Sequence, residues 1–231
     1  MTDSKIPNHV AIIADGNRRW ARERKLPLLE GHRKGAETMK LLTKKAKVLG
    51  IKIMSFWVFS TDNWKRTQEE VGYLMRLFEE MIESQIKDAI VEKTRIVHLG
   101  RKDRLPRSLR KKMESAEEKT KHFTEHFFCV ALDYGGKDEV IRAINKLSNQ
   151  DKKTSITEED ISSHLDTSVL PNPEPDLVIR TSGEERTSGF MIWQTTYSEY
   201  YFSPLLFPDF NGEALEKAIG DYTERKRRFG K

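Results

Sequence analysis

Short, almost continuous apolar runs alternate along this chain with longer stretches in which apolar residues recur at helical spacing. The run from Val10 to Ala14 reads as a buried strand, and Asp15-Gly16-Asn17 is a turn signature that leaves one carboxylate at the strand's C-terminal edge. From Gly35 to Leu49, Met39, Leu42, Ala46 and Leu49 share one helical face, and Gly50 closes the helix. Ile51 to Phe59 predicts a second buried strand that again ends in a polar segment, Ser60-Thr61-Asp62-Asn63-Trp64. Val71, Leu74, Met75, Phe78, Ile82, Ile86, Ala89 and Ile90 then form a single stripe on a long helix from Glu69 to Glu92.

The same alternation continues. Arg95 to Leu99 predicts a third strand, Pro106 opens a helix, and Phe127 to Leu132 predicts a fourth strand, with Asp133-Tyr134-Gly135-Gly136 at its end before a helix from Asp138 to Leu147. Asn149 to Ser155 is a polar surface loop, and Thr157 to Leu165 a short helix opened by a threonine three residues before Asp160. Pro171, Pro173 and Pro175 force an extended entry into a fifth strand, Asp176 to Ile179. Phe190 to Trp193 predicts a sixth strand and Leu215 to Arg225 a terminal helix. Strands alternating with helices imply an α/β fold, a single domain with a mostly parallel central sheet of about six strands flanked by helices on both faces.

Composition narrows the setting. A chain of 231 residues can bury a sizeable core without covalent staples. Its one cysteine, Cys129, lies in the apolar run FFCVAL and reads as a buried thiol, which excludes a disulfide framework and fits a reducing compartment. No apolar run approaches a membrane span, and Met1 to Pro7 lacks the apolar segment of a secretion signal. The expected location is cytoplasmic, with room for peripheral contact at a membrane surface. A formal net charge of +5 admits anionic partners without choosing among them.

The chemistry collects at strand ends, where ligands of open α/β folds bind. Asp15 is followed by Arg18, Arg19, Arg22, Arg24 and Lys25, with Trp20 among them. A carboxylate beside guanidinium forks suits a phosphorylated ligand that carries a divalent metal. Arg180-Thr181-Ser182-Gly183-Glu184-Glu185-Arg186 follows the fifth strand and suits a second anionic group. Each motif alone is equally an ordinary solvated loop; their repetition at one edge favours phosphate binding. His32, after Gly31 at a helix start, is either a capping residue or a phosphate donor. Trp57, Trp64, Trp193 and the Tyr197 to Phe202 stretch read first as core or interface aromatics. The phosphate-cradling GxxxxGK[ST], GxGxxG and HExxH patterns are missing, four-cysteine zinc is excluded, and no single basic arm points to nucleic acid.

The stretches HVAIIADGNRRWA, GHRKGAE, FSTDNWKRTQEEV, ALDYGGKDEV, PDLVIRTSGEERTSGFMIWQTTYSEYYFSPLLFPDF and ERKRRFG, in this order, make the chain resemble the cis-prenyltransferases, the undecaprenyl diphosphate synthase family. The resemblance implies one catalytic domain over residues 1–231 that condenses isopentenyl diphosphate with an allylic diphosphate, using Mg2+, and that forms a homodimer. By motif position it makes Asp15 the essential aspartate at metal and diphosphate, Gly16, Asn17, Arg18 and Arg19 the allylic diphosphate loop, and Trp20 and His32 accessory residues. Ser60, Thr61 and Asp62 fall at the reacting end, Asn63 at proton removal, with Trp64, Arg66 and the supporting carboxylate Glu70 completing that motif. A neutral carboxamide is a poor base, so Asn63 is expected to orient a water or the departing proton. Arg180, Arg186, Thr187 and Ser188 correspond to the isopentenyl diphosphate clamp, and Glu199 to its metal-associated carboxylate.

Departures from the family pattern are Arg18 where bacterial members carry glycine, Leu28 in place of an arginine four residues before the motif histidine, and Gly189 in place of asparagine. The stripe on the Glu69 to Glu92 helix with Ile53 to Phe59 is either an apolar channel for the growing chain or plain core, with Trp57 and Phe59 as candidates to restrict its length. Arg228-Phe229-Gly230 resembles an ending that reaches a partner subunit's site. The competing expectation is a non-catalytic or partner-dependent subunit.

Overall fold

The computed structural model describes residues 6–150 and 155–225. Its first strand, β1 (His9–Ile13), is buried at every position, as a strand covered on both faces must be. There follow α1 (Asn17–Glu23), α2 (Leu28–Val48), β2 (Ile53–Ser60), α3 (Gln68–Val91), β3 (Thr94–Leu99), α4 (Arg107–Thr120) and β4 (His126–Tyr134). The chain continues through α5 (Gly136–Gln150), α6 (Glu158–Ser162), β5 (Leu177–Arg180), β6 (Glu199–Phe202) and α7 (Gly212–Glu224). All six strands join one sheet in the order β3-β4-β2-β1-β5-β6, and every pair is parallel. The α/β reading with a parallel sheet is borne out.

The strand order places the site. The chain winds outward from β1 through β2 to one side and returns to β5 on the other, so the winding direction reverses between β1 and β5. At such a point the loops leaving two neighbouring strands diverge in opposite directions and open a crevice at their carboxyl ends. Ile13 pairs with Arg180 in this register, so the loops that begin at Ala14 and at Thr181 flank that crevice.

Alternate strand residues feed two cores. Val10 and Ile12 pack with Met39 and Leu42 of α2, Leu74 and Phe78 of α3, Leu109 of α4 and Leu215 of α7. Ala11 and Ile13 face the other way, toward Leu170, Phe190 and Met191. Beside them Tyr134 donates its hydroxyl to Glu139 of α5.

Two sequence expectations are corrected. The second helix begins at Leu28, after Pro27 at φ −53° and ψ 140°, so His32 lies inside it and not at its start. Gly31 and Gly35, which suggest a helix boundary in sequence, are instead interior positions where α1 comes close: a Cβ on Gly31 would stand 2.0 Å from the Asn17 carbonyl oxygen. Phe190 to Trp193 is not a strand but belongs to a succession of turns; Ser188, Gly189 and Met191 take φ of 51°, 86° and 45°, outside the extended region. A buried apolar run of that length does not reveal its backbone by periodicity. The sixth strand is Glu199–Phe202, a partly exposed edge strand within the aromatic stretch. The Arg227 to Gly230 ending and most of the 149–155 loop fall outside the described residues.

Candidate active site

Asp15 leaves β1 held at both backbone ends. Its N–H donates to the Thr181 hydroxyl at 3.0 Å, and that hydroxyl donates to the Asp15 carbonyl at 2.7 Å, which also accepts the Phe207 N–H at 3.0 Å. Thr181 therefore straps the two loops of the crevice together. The carboxylate Oδ2 accepts from Arg180 Nη2 at 3.0 Å, while Oδ1 takes no hydrogen bond among the described residues. Arg180 is only 4% exposed, and its other nitrogen Nη1 donates to Ser188 Oγ at 2.9 Å and to the Arg186 carbonyl. A guanidinium stripped of water needs such partners, and its Nε still has none. Next in the chain, Gly16 takes φ +105°, and a Cβ there would meet Leu206 Cδ2 at 2.9 Å, so the turn into α1 requires glycine.

Around Asp15 opens a cleft of about 400 Å3, lined by Gly16, Asn17, Arg18, Arg19, Arg22, His32, Ser60, Asn63, Arg66 and Arg180. Five arginines thus converge on one cleft. Glu70, from the first turn of α3, balances some of this charge: its Oε1 accepts from Arg66 Nη1 at 3.0 Å and lies 3.8 Å from both Arg18 Nε and His32 Nε2. Burial, then the neighbouring Arg66 and Arg18, lower the His32 pKa to about 4, so its imidazole is neutral near pH 7. A neutral ring has one N–H to donate, and Nε2 has no hydrogen-bond partner. Arg19 is held over the loop after β5 by the Ser182 carbonyl at 2.9 Å and Glu184 at 3.4 Å.

Asn63 sits in the single 3-10 turn Thr61–Lys65 that follows β2. Its Oδ1 accepts the Ser60 N–H at 3.0 Å. The amide oxygen is therefore tied to its own loop, with one lone pair and the NH2 left for a further partner.

Several expected residues are placed elsewhere. Trp20 turns from the cleft: its indole N–H donates to Asp209 at 2.7 Å and Arg24 stacks 4.5 Å above its ring. Asp62 is exposed and paired with Lys65 at 2.7 Å, which holds its carboxyl below the usual range. Thr61 packs against Gly135. Trp64 lies behind the cleft, donating to Asp133 at 2.8 Å and meeting Phe59 edge-on at 5.2 Å. Arg186 is exposed and pairs with Glu184, and the Thr187 carbonyl accepts the Phe190 N–H at 3.0 Å.

Glu199 is the largest displacement. It begins β6 in register with Leu177, itself in register with Val10, so it lies at the sheet edge opposite Asp15. Its carboxylate pairs with Arg225 at 2.9 Å. Asp15 and Glu199 of one chain cannot share an ion, because parallel strands put their first and last residues at opposite edges of the sheet. Among the described residues no three metal-ligating side chains cluster.

The apolar seam is also redrawn. Trp57 points to the face away from α3, stacked on Phe190 at 5.1 Å with its indole N–H on the Tyr134 carbonyl at 3.2 Å. Phe59 does face α3, edge-on to Phe78 at 6.3 Å. Arg104 joins this group by structure alone: it donates to the fully buried Asp133, from Nε at 2.9 Å, beside the Trp64 indole. Nothing around Arg104 marks it, since its partner lies a strand and a helix away.

Residues 13–230 match the family model described as "Putative undecaprenyl diphosphate synthase". An isoprenyl transferase of Thermotoga maritima is 46% identical over 98% of this chain and 97% of its own length, and one of Bacillus cereus is 45% identical over 97% and 88%. The solved structure of lavandulyl diphosphate synthase from Lavandula x intermedia, in complex with dimethylallyl diphosphate, is similar with a TM-score of 0.94 at 36% identity, covering 98% of this chain and 99% of that one. The structure of a probable undecaprenyl diphosphate synthase from Campylobacter jejuni gives 0.82 at 31% identity, covering 98% and 100%. With an aspartate braced by an arginine in a cationic crevice at the point where the sheet reverses, and with these relatives matched over nearly its whole length, the chain belongs to the cis-prenyltransferase, or undecaprenyl diphosphate synthase, family.

Proposed function

We propose that this protein elongates prenyl chains, condensing isopentenyl diphosphate with an allylic diphosphate to give a cis-polyprenyl diphosphate and diphosphate. The observation that carries the reading is Asp15 braced by Arg180 in a cleft lined by four further arginines. As the allylic carbon–oxygen bond breaks, negative charge gathers on the departing diphosphate, and preorganised guanidinium groups stabilise it. Arg18, Arg19 and Arg22 line the side of α1, and Arg22 supplies a cation that Leu28 does not. Neutral His32 donates one hydrogen bond, and the Asn63 NH2 donates to a water or diphosphate oxygen that takes the proton lost from isopentenyl diphosphate. Arg180 with Ser188 forms the second anion site, for isopentenyl diphosphate.

The donor set fits magnesium, which is commonly held by one or two carboxylates together with substrate phosphates. Asp15, through its open Oδ1, would hold it, and the ion when bound neutralises phosphate charge. Glu199 would reach a metal site only across an interface with a neighbouring copy, and a homodimer is proposed with it; sedimentation under assay conditions showing only monomer would reject that. A cytoplasmic location with peripheral membrane contact remains the proposed setting.

The test is incubation of pure protein with magnesium, labelled isopentenyl diphosphate and a panel of allylic diphosphates. Chain extension is expected. No extension from any starter would replace this reading with a partner-dependent or non-catalytic subunit.

A further inference from the structure

α3 starts beside the cleft, where Glu70 meets Arg66, and runs away from it. At about 1.5 Å per residue, Gln85 lies roughly 22 Å further along the helix than Glu70. Between them Phe78, Met81 and Ile82 face a seam closed on the sheet side by Leu132, Val130 and Phe128 of β4. From Leu132 to Phe128 this wall descends about 13 Å toward the sheet edge opposite the cleft. The cavity in the seam is about 10 Å3, space for about one water, so side chains fill it. Three of those side chains are Met39, Met81 and Met113, unbranched and readily displaced.

Gln85 breaks this apolar lining. It is 8% exposed, and its Nε2 is buried with no hydrogen-bond partner. Leaving a buried amide unpaired opposes folding, and no packing need explains a carboxamide where leucine or methionine has similar bulk. At the same level Lys40 of α2 donates to Ser84 Oγ at 2.6 Å and pairs with Asp88 at 3.1 Å, so α2 and α3 are clasped on either side of Gln85 in sequence. Met81 lies one turn nearer the cleft on α3; at the level of Gln85 the seam meets an amide and, where Met39 adjoins Lys40, the clasp.

We propose that Gln85 is a specificity-determining residue that forms the polar floor of the hydrocarbon seam, the Lys40 clasp holding the floor in place. This rests on the elongation activity proposed above. An apolar chain end advances by displacing methionine side chains, each step exchanging one apolar contact for another. On reaching Gln85 it meets an amide that is already buried and unpaired and offers no apolar contact to exchange, so it advances only by forcing apart the clasped pair of helices, and growth stops there.

The experiment compares the parent protein with Gln85→Leu, Gln85→Ala and Lys40→Ala, using magnesium, labelled isopentenyl diphosphate and a starter that the parent extends. Products are dephosphorylated and separated by reverse-phase chromatography, and thermal midpoints are recorded alongside. Gln85→Leu, which keeps the bulk and removes the polarity, is expected to lengthen the dominant product by at least one isoprene unit without lowering the midpoint. Lys40→Ala is expected to broaden the distribution toward longer products. Unchanged lengths from a folded Gln85→Leu, or lengthening by Gln85→Ala alone, overturn the polar floor while leaving the elongation activity standing. A parent protein that extends no starter fails the activity itself, and the floor with it.

Discussion

Gly31→Ala tests whether the crevice depends on the contact between α1 and α2. The new Cβ would lie 2.0 Å from the Asn17 carbonyl oxygen and 3.3 Å from Ala21 Cβ. Heavy atoms settle at about 3.5 Å or more, so α1 must retreat by roughly 1.5 Å, and a backbone carbonyl cannot swing aside as a side chain does. Overpacking of this kind costs about 1–3 kcal/mol, from which the better helix propensity of alanine returns up to about 1 kcal/mol. For a domain of this size the net loss of about 1–2 kcal/mol lowers the thermal midpoint by roughly 2–8 °C. The effect on turnover is larger. Asn17 begins α1, directly after Asp15 and Gly16, and α1 carries Arg18, Arg19 and Arg22 into the cleft. A displacement near 1 Å at reacting groups lowers rate by about a hundredfold. Thermal melting and steady-state kinetics on the purified variant measure both, with Gly220→Ala as control: Gly220 lies in α7 with nothing within 4 Å of its Cβ direction, so stability rises slightly and turnover is unchanged. Parent-like midpoint and turnover in Gly31→Ala would refute the claim that this contact sets the position of α1.

Three further outcomes are expected. His9 and His32 both have pKa values lowered to about 4 by burial, so between pH 6.5 and 4 the unfolded chain binds protons that the native protein does not; stability is full above pH 6.5 and falls by about 2 kcal/mol for each histidine by pH 5, which urea titrations at pH 7 and 5 would show, and equal midpoints would count against it. Thr181→Val removes the hydroxyl that ties Asp15 to the loop after β5; turnover should drop at least tenfold with a stability loss of about 1–2 kcal/mol, and unchanged kinetics would show the strap to be dispensable. Asp133→Ala leaves the Trp64 indole and Arg104 without their shared acceptor; a loss of about 2 kcal/mol is expected in chemical denaturation, moderated because Arg104 is itself 40% exposed, and a neutral result would contradict it.

Features written into short segments were legible in the sequence. The strand before Asp15, the turn at Gly16, the strand before Ser60 and the long stripe of α3 each depend on neighbours in the chain, and each stands within a residue or two of its expected place. Asp15 and Arg180 could be assigned to one edge because parallel strands align their carboxyl ends. What depended on distant partners was not legible. Gly31 and Gly35 look like helix breakers until α1 is laid across them, and Phe190 to Trp193 looks extended until the positive φ of Met191 and of the preceding Ser188 and Gly189 is seen. Glu199 carries a motif resemblance, but strand direction puts it at the far edge of the sheet. Thr181 gained its importance only from the reach of its hydroxyl across to β1, and Phe59 joins Phe56 on the α3 side only through the bulge between Trp57 and Phe59 where β2 pairs with β4, while Trp57 keeps the face of Ile53.

The most direct measurement is single-turnover condensation by Asp15→Ala over a magnesium series, with folding and the binding of each diphosphate measured separately. The substitution removes an oxygen ligand and the partner of Arg180 Nη2 while leaving the apolar packing of β1 intact. A folded variant that still binds the allylic diphosphate through Arg18, Arg19 and Arg22, yet condenses it at least about a hundredfold more slowly, is the expected result. Near-parent condensation by the folded variant at ordinary magnesium would contradict the role given to Asp15, and with it the reading of the crevice as the place where the allylic diphosphate departs.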